Sequence, residues 1–331
     1  MLHHKPTVAL GADASPVSPF VAVAGATGAL GQLVVSELRK RKVAVKAIVR
    51  LGTDKARTKG FLKLGGVTIA EVDLEDEAKL TQELKGATCV VSTLKGPVDV
   101  LLKAQSHLLD AALAAKVPRF IPSDYAIDLT NIKPGSNRNL DQHREFQDRL
   151  DESGISWSTI LCGGFTEWLT GELGFSLIDK KNRKVSYISN PEQKLDYTTM
   201  ANTAEYTAAV ATDPKPTPKI LRIAGDVVNV RELAEIAARL DSGGKNAEPY
   251  STAAMAPMWL VGFMIPVMKG FGGEDELLPA WQGMQSMVNM FSGEGKLDPT
   301  DNDRYPEIKW TKVEEYLRAY GKGNEDTKVN E

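Results

Sequence analysis

Phe20-Val-Ala-Val-Ala-Gly-Ala-Thr-Gly-Ala-Leu-Gly31 runs from an unbroken apolar segment straight into three glycines, Gly25, Gly28 and Gly31, spaced three apart. An apolar run with no polar alternation is what a strand buried on both faces looks like. Beyond Gly28, Leu30, Leu33, Val34 and Leu38 fall at helical spacing, so a helix is expected over 28–40. Strand, glycine turn and helix together let a backbone come close to a pyrophosphate. Gly25 permits the tight turn, Gly28 bares the helix N-terminus where free N–H groups point outward, and Gly31 lets the helix pack closely on the strand.

Working outward, the same rhythm repeats. Strands are expected at 45–49, 67–71, 89–91, 119–122 and 156–161. Between them lie helical patterns at 54–64, 75–84, 98–115 and a polar-faced one at 137–153. Strands alternating with helices over short connections give a parallel sheet covered on both faces. The expected fold is therefore α/β, a Rossmann-type doubly wound parallel sheet. After Cys162 the rhythm loosens into strand-like segments at 185–188, 194–196 and 220–224 and helices at 199–212 and 230–240. The division this suggests is a flexible arm at 1–19, a nucleotide-binding domain at 20–162, a smaller substrate-side lobe at 163–320 partly returning to the sheet, and a polar tail at 321–331.

Composition narrows the class. The chain has 331 residues, 42% hydrophobic and 25% charged, with a net charge of −3. That is enough apolar material for a sizeable core and too acidic a balance for a general nucleic-acid binder. Cys89 and Cys162 are too few for a disulfide scaffold and lack metal-site spacing, so both read as buried thiols in a reducing compartment, and no metal site is expected. Residues 1–19 lack the continuous apolar core of a signal peptide. The longest apolar stretch, 256–268, is shorter than the ~20 residues of a spanning helix and contains Pro266, so it reads as a buried or pocket-lining helix. A cytoplasmic protein that contacts neither membrane nor nucleic acid is expected. Its partner would be a small molecule, with a homodimer or a regulatory protein left open.

The end of the second strand selects the cofactor. An acid there would bind the ribose 2′-hydroxyl of NAD. This chain has Arg50, followed by Lys55, Arg57 and Lys59. A guanidinium suits a 2′-phosphate, so NADP(H) is expected.

GATGALG at 25–31, AIVR at 47–50, VDLED at 72–76, VVSTLKG at 90–96 and RFIPSDYA at 119–126 together resemble the NmrA-like and isoflavone reductase-like proteins, which are atypical short-chain dehydrogenases/reductases. The resemblance runs from about Phe20 to Trp168. It implies that Gly25, Thr27, Gly28, Ala29 and Leu30 hold the pyrophosphate and that Arg50 and Lys59 hold the 2′-phosphate. It implies that Asp73 and Leu74 lie by the adenine and that Thr93, Leu94 and Lys95 border the nicotinamide ribose. Ser123 and Asp124 would sit beside the nicotinamide.

The proton donor is where the chain departs from that pattern. Ordinary short-chain dehydrogenases use a Tyr-xxx-Lys pair. Here the only one, Tyr305 to Lys309, lies far beyond the sheet and carries a proline, and Tyr125 is followed four residues later by Leu129. Isoflavone reductase-like enzymes use a lysine on the helix before the sixth strand. Counting back from Gly154, that register holds His143, and the helix contains no lysine. His143 is therefore the candidate general acid, the alternative being an exposed residue on a polar helix face.

Phe165, Trp168, Met255, Trp259, Phe263 and Trp281 could line an apolar pocket or simply pack the second lobe, and Tyr197 could face the cleft. Two readings follow. One is an NADPH-dependent reductase of a small apolar, aromatic, carbonyl or quinone-like compound, which the aromatic lobe favours. The other is an NADP(H)-binding redox sensor without turnover, which the missing lysine favours.

Overall fold

The computed structural model describes residues 19–97, 100–171, 176–241, 248–273 and 279–328. The expected arm at 1–19 lies outside these residues except for Pro19. The central sheet is built from β1 (Phe20–Ala24), β2 (Ala44–Val49), β3 (Val67–Glu71), β4 (Ala87–Ser92), β5 (Arg119–Ile121) and β6 (Ser156–Trp157). They lie side by side in the order β3-β2-β1-β4-β5-β6, with every pairing parallel. The order reverses at β1/β4, beside the glycine turn. That is where open sheets of this kind bind ligands.

The helices between these strands are α1 (Ala29–Lys40), α2 (Lys55–Lys63), α3 (Glu77–Leu84), α4 (Gln105–Ala114) and α5 (Arg138–Ser153). Their starts are chemically marked. Asp54 accepts from the Ala56 N–H at the head of α2, Asp76 from Lys79 at α3, and Asn137 from Asn139 and Leu140 at α5. α5 stops at Gly154, whose φ of 72° is left-handed. The helix expected over 98–115 is a π-helical turn at Val100–Ala104 that becomes α4, and its first two positions lie outside the described residues.

Alternation along β1 explains why the strand is apolar throughout. Val21 and Val23 face a core shared with Val34, Val35 and Leu38 of α1 and with Tyr206. Phe20, Ala22 and Ala24 face the opposite core of Leu80, Leu108, Leu109, Phe146 and Leu150.

The expected single strand over 156–161 is two. β6 ends at Trp157, and β7 (Thr159–Leu161) leaves the sheet to pair in parallel with a later strand, β12 (Ile220–Arg222). The remainder of the later half contains β8 (Gly164–Phe165), β9 (Ile178–Asp179), β10 (Lys184–Ile188), β11 (Leu195–Thr198), α6 (Met200–Thr212), β13 (Asp226–Val228), α7 (Val230–Asp241), β14 (Ser251–Ala256), α8 (Met258–Lys269), α9 (Ala280–Phe291) and α10 (Val313–Lys328). β14-β10-β9 and β13-β11-β8 form two small sheets. α6 returns to the large sheet, where its Ala204, Tyr206 and Val210 join the α1 core.

In the polar tail expected at 321–331 the helix α10 continues as far as Lys328, anchored upstream by buried Val313 and Leu317, one turn apart. One expectation fails here. The apolar run at 256–268 is not a buried helix. In α8 only Val261 is buried, since neighbours cover one side of it alone.

Candidate functional site at the carboxyl edge of the sheet

The glycine turn is locked to the strand beside it. Gly25 has a φ of 76°. The Gly28 N–H donates to the Gly25 carbonyl at 2.9 Å. A Cβ at Gly25 would stand 2.7 Å from the Thr93 carbonyl oxygen, and one at Gly31 would stand 2.3 Å from that of Gly25. Neither position has room for a side chain. No side chain caps α1 and no acid lies in its first turn, so the helix N-terminus is open to an anion. Thr27, Gly28, Ala29 and Leu30 surround it.

From there the site continues strand by strand. Thr93, at the end of β4, donates its hydroxyl to the Ala24 carbonyl at 2.8 Å. Ser123, past β5, donates to the Leu94 carbonyl at 2.9 Å, and its N–H is held by Gln105 Oε1 at 2.9 Å. Lys95 is exposed. On the other side, Arg50 and Lys59 are exposed beyond β2 and on α2, and Arg57 reaches back to the Thr27 carbonyl at 3.2 Å. Sequence reasoning gave Arg57 no role of its own; its contact ties the basic helix to the glycine turn. Asp73 is exposed and turns back on its own loop, accepting from the Glu75 N–H at 3.1 Å, with half-buried Leu74 beside it.

The β5 end is buried. Asp124 is wholly buried, and one of its oxygens takes Gln147 Nε2 at 2.8 Å and the Thr159 hydroxyl at 3.0 Å. Its other oxygen lies 2.9 Å from Nδ1 of His143. The pair is close but not in line: neither atom has a hydrogen bond of full geometry. His143 is 8% exposed, so it is not the polar-face residue its helix suggested. Gln147 stands one turn on from His143 on α5, whereas Asp124 and Thr159 come from a loop and a strand on either side of that helix in the chain, and no local pattern links those two to His143.

The head of α5 is pinned from a distance. Asn137 donates to Asn289 Oδ1 at 2.8 Å and accepts from Gln282 at 2.9 Å, while Gln285 accepts from the Arg138 N–H at 3.2 Å. All three partners lie on α9, and sequence reasoning did not find them.

The hydroxyls of Tyr125 and Tyr305 are both engaged within the fold. Burial pushes the Tyr125 phenol up, and its hydroxyl meets only Thr207 at 3.4 Å. Tyr305 is pushed up to about 12, chiefly by burial, and donates to Asp213 at 2.7 Å. Burial also raises both thiols to about 12, so Cys89 and Cys162 stay protonated.

The aromatic set expected to line a pocket is dispersed. Phe165 and Trp168 meet edge to face, with centroids 6.5 Å apart. Tyr197 does not face a cleft. It is 2% exposed on the middle strand of its sheet, and its ring lies over Gly164. Trp259 and Phe263 are 73% and 68% exposed on the outer face of α8, and Met255 is exposed on β14. Trp281 is buried, its indole N–H on the Gly272 carbonyl at 3.2 Å.

Among the described residues no cluster of metal-ligating side chains occurs, and no helix is long and apolar enough to cross a membrane.

Comparison with known proteins places this geometry. The chain is 24% identical over 91% of its length to the isoflavone reductase homolog IRL of Zea mays, of which the match covers 97%. It superposes with a TM-score of 0.75 on AtPrR2 with NADP+ and (+)pinoresinol, at 22% identity, covering 92% of this chain and 99% of that one. It superposes at 0.69 on the NADPH-dependent quinone oxidoreductase of Escherichia coli complexed with NADPH, at 22% identity, covering 91% and 99%. These likenesses extend well past Trp168, and so does the profile of the NmrA-like family, which matches residues 18–317: the chain belongs to that family.

Proposed function

We propose that the protein is an NADPH-dependent reductase of a small apolar compound bearing a carbonyl or quinone group. One observation carries the reading. A buried carboxylate faces an imidazole, Asp124 against His143 at 2.9 Å, past the strand two places from the glycine turn. At ~4.8 Å per strand, that is about 10 Å along the carboxyl edge. The names of the relatives support the same class: an isoflavone reductase homolog, a protein bound with NADP+ and pinoresinol, and an NADPH-dependent quinone oxidoreductase.

The residues present fit the cofactor. The uncapped head of α1 and the side-chain-free faces of Gly25 and Gly31 suit a pyrophosphate. Exposed Arg50 suits the 2′-phosphate, and exposed Lys59 on α2 is a second cation for it. Thr93, Leu94, Ser123 and Asp124 line the edge on the way to His143. NADPH, when bound, supplies a hydride to the substrate carbon.

His143 supplies the proton. The Asp124 carboxylate faces Nδ1 at 2.9 Å, which leaves Nε2 as the ring nitrogen free to donate to a substrate. As the carbonyl carbon gains a hydride, its oxygen takes the Nε2 proton and the carbonyl becomes an alcohol. The neutral imidazole then regains a proton from solvent. A quinone becomes a hydroquinone by the same balance and needs less help, because its oxyanion is stable. Gln147 and Thr159 hold Asp124 in place. Half-buried Phe165 and exposed Trp168 offer an apolar wall on the substrate side. The sensor reading rested on a lysine that α5 lacks, and an imidazole beside a buried carboxylate in its register answers that ground. A cytoplasmic, reducing setting suits the two buried free thiols.

The test is NADPH consumption against a panel of quinones, aldehydes and phenylpropenes. Turnover of at least one class is expected. Tight NADP(H) binding with no turnover of any compound would sink the reductase and leave the sensor.

A further inference from the structure

α9 is a methionine-rich helix with a buried amide stripe. Met284, Met287, Val288 and Met290 pack on the core of the later half. Gln282, Gln285 and Asn289 stand at three- and four-residue spacing and are 0%, 8% and 2% exposed. Burying an amide is costly unless it is hydrogen-bonded. All three direct a bond to one place, the head of α5. That head is already capped by its own Asn137, whose Oδ1 accepts from the Asn139 and Leu140 N–H groups. A cap alone therefore does not account for the stripe. Apolar contacts are non-directional, so a helix seated only on them can turn or slide. Hydrogen bonds constrain direction as well as distance.

Asn289 reaches further than the other two. Its side-chain oxygen accepts from Asn137 Nδ2 at 2.8 Å. Its carbonyl accepts from the Gly295 N–H at 3.1 Å, and the Gly295 carbonyl accepts from the Asp128 N–H, also at 3.1 Å. Ile127 closes on the same spot: a Cβ added at Gly295 would stand 2.8 Å from its Cδ1. Ile127 and Asp128 belong to the loop that Asp124 begins. His143 lies further along the helix that Asn137 heads, about 9 Å on at 1.5 Å per residue. One residue of α9 thus holds both the helix of His143 and the loop of Asp124.

The pair is where such a hold matters. His143 Nδ1 and the Asp124 oxygen are 2.9 Å apart but out of line. A hydrogen bond weakens steeply with angle, so a small turn of α5 against the loop decides whether the two groups join. We propose that Asn289 is a positioning residue, which rests on the reading of His143 as the acid: its side chain sets α5, its carbonyl sets the Asp124 loop through Gly295, and together they fix the approach of His143 to Asp124. An element of the substrate-side lobe then controls the geometry of proton transfer without touching the substrate.

Two readouts test this on the full chain. The first needs no substrate: the ring ¹⁵N chemical shifts of His143, assigned by their loss in His143→Ala. Asn289→Leu, which removes the acceptor, should move them. Asn289→Asp keeps an acceptor, and a carboxylate is favoured at a helix N-terminus, so it should return them towards wild type. The second is reduction of a carbonyl compound, with sites counted by NADPH titration so that loss of folded protein does not register. Asn289→Leu should lower kcat by ~10–10²-fold, the scale of a misplacement near 1 Å, with KM and NADPH affinity unchanged, and Asn289→Asp should restore most of it. His143→Ala/Asn289→Leu should be no slower than His143→Ala, because a residue that acts through His143 has nothing left to act on. If Asn289→Leu folds poorly, Gly295→Ala, which presses on Ile127 from the loop side, should move the same shifts and lower kcat alike. Unmoved shifts in both Asn289→Leu and Gly295→Ala, an unchanged kcat in Asn289→Leu, or a further loss in the double variant would overturn the proposal. Undiminished turnover in His143→Ala would instead overturn the catalytic reading, and the shifts would still decide whether Asn289 positions the ring.

Discussion

At one end of the carboxyl edge, Arg50 stands exposed just past β2, and Lys55 and Lys59 stand exposed on α2. At the other, Asp124 is wholly buried and His143 nearly so, with Gln147 and Thr159 completing the shell. The first end is a set of charges in water that gain meaning only when an anion arrives. The second is assembled by the fold before any ligand binds. The exposed end should therefore tolerate substitution with its stability intact and lose affinity alone. The buried end should lose turnover, and part of its stability, when either partner changes.

His143→Ala should have the largest effect. Removing a positioned general acid lowers turnover by ~10²–10⁴-fold, and NADPH affinity measured by titration should stay the same. His143→Lys should recover part of the rate, since it restores a proton-bearing group beside Asp124. Asp124→Asn comes next. It keeps the shape but removes the negative charge facing Nδ1, so turnover of carbonyl substrates should fall while quinones suffer less. Because Gln147 and Thr159 lose a charged acceptor, thermal unfolding should also show a loss of about 1–3 kcal/mol.

At the exposed end, Arg50→Ala should weaken NADPH about 10-fold, given ~1.5–3 kcal/mol for a charge-assisted contact, and leave NADH nearly untouched. Equal losses for the two cofactors would break the contrast. Lys59→Ala should be smallest: a fully exposed contact of this kind is worth ~0.2–1 kcal/mol, so a few-fold change that fades as salt is raised is expected.

The contrast also shows what the sequence could carry. The glycine turn and β1 were legible because both are local: one apolar run feeds two cores, and glycines stand where a Cβ would meet backbone. Arg50 was legible for the same reason, following its strand directly. His143 was found only by register within a helix, and nothing local foretold its burial, because Asp124 and Thr159 approach it from either side of α5 in the chain. The bond from Asn137 to Asn289 spans 152 positions and left no local trace. β7 left the main sheet because its partner, β12, lies far along the chain. α8 misled for a different reason. Hydrophobicity marks surface that needs covering, and it does not say whether the cover belongs to the same chain.

The most direct test of the central claim is steady-state reduction of a carbonyl substrate by wild type and His143→Ala, with NADPH affinity measured on the same preparations. A fall of ~10² or more in turnover at unchanged NADPH affinity is the predicted result. Unchanged turnover in His143→Ala would contradict it.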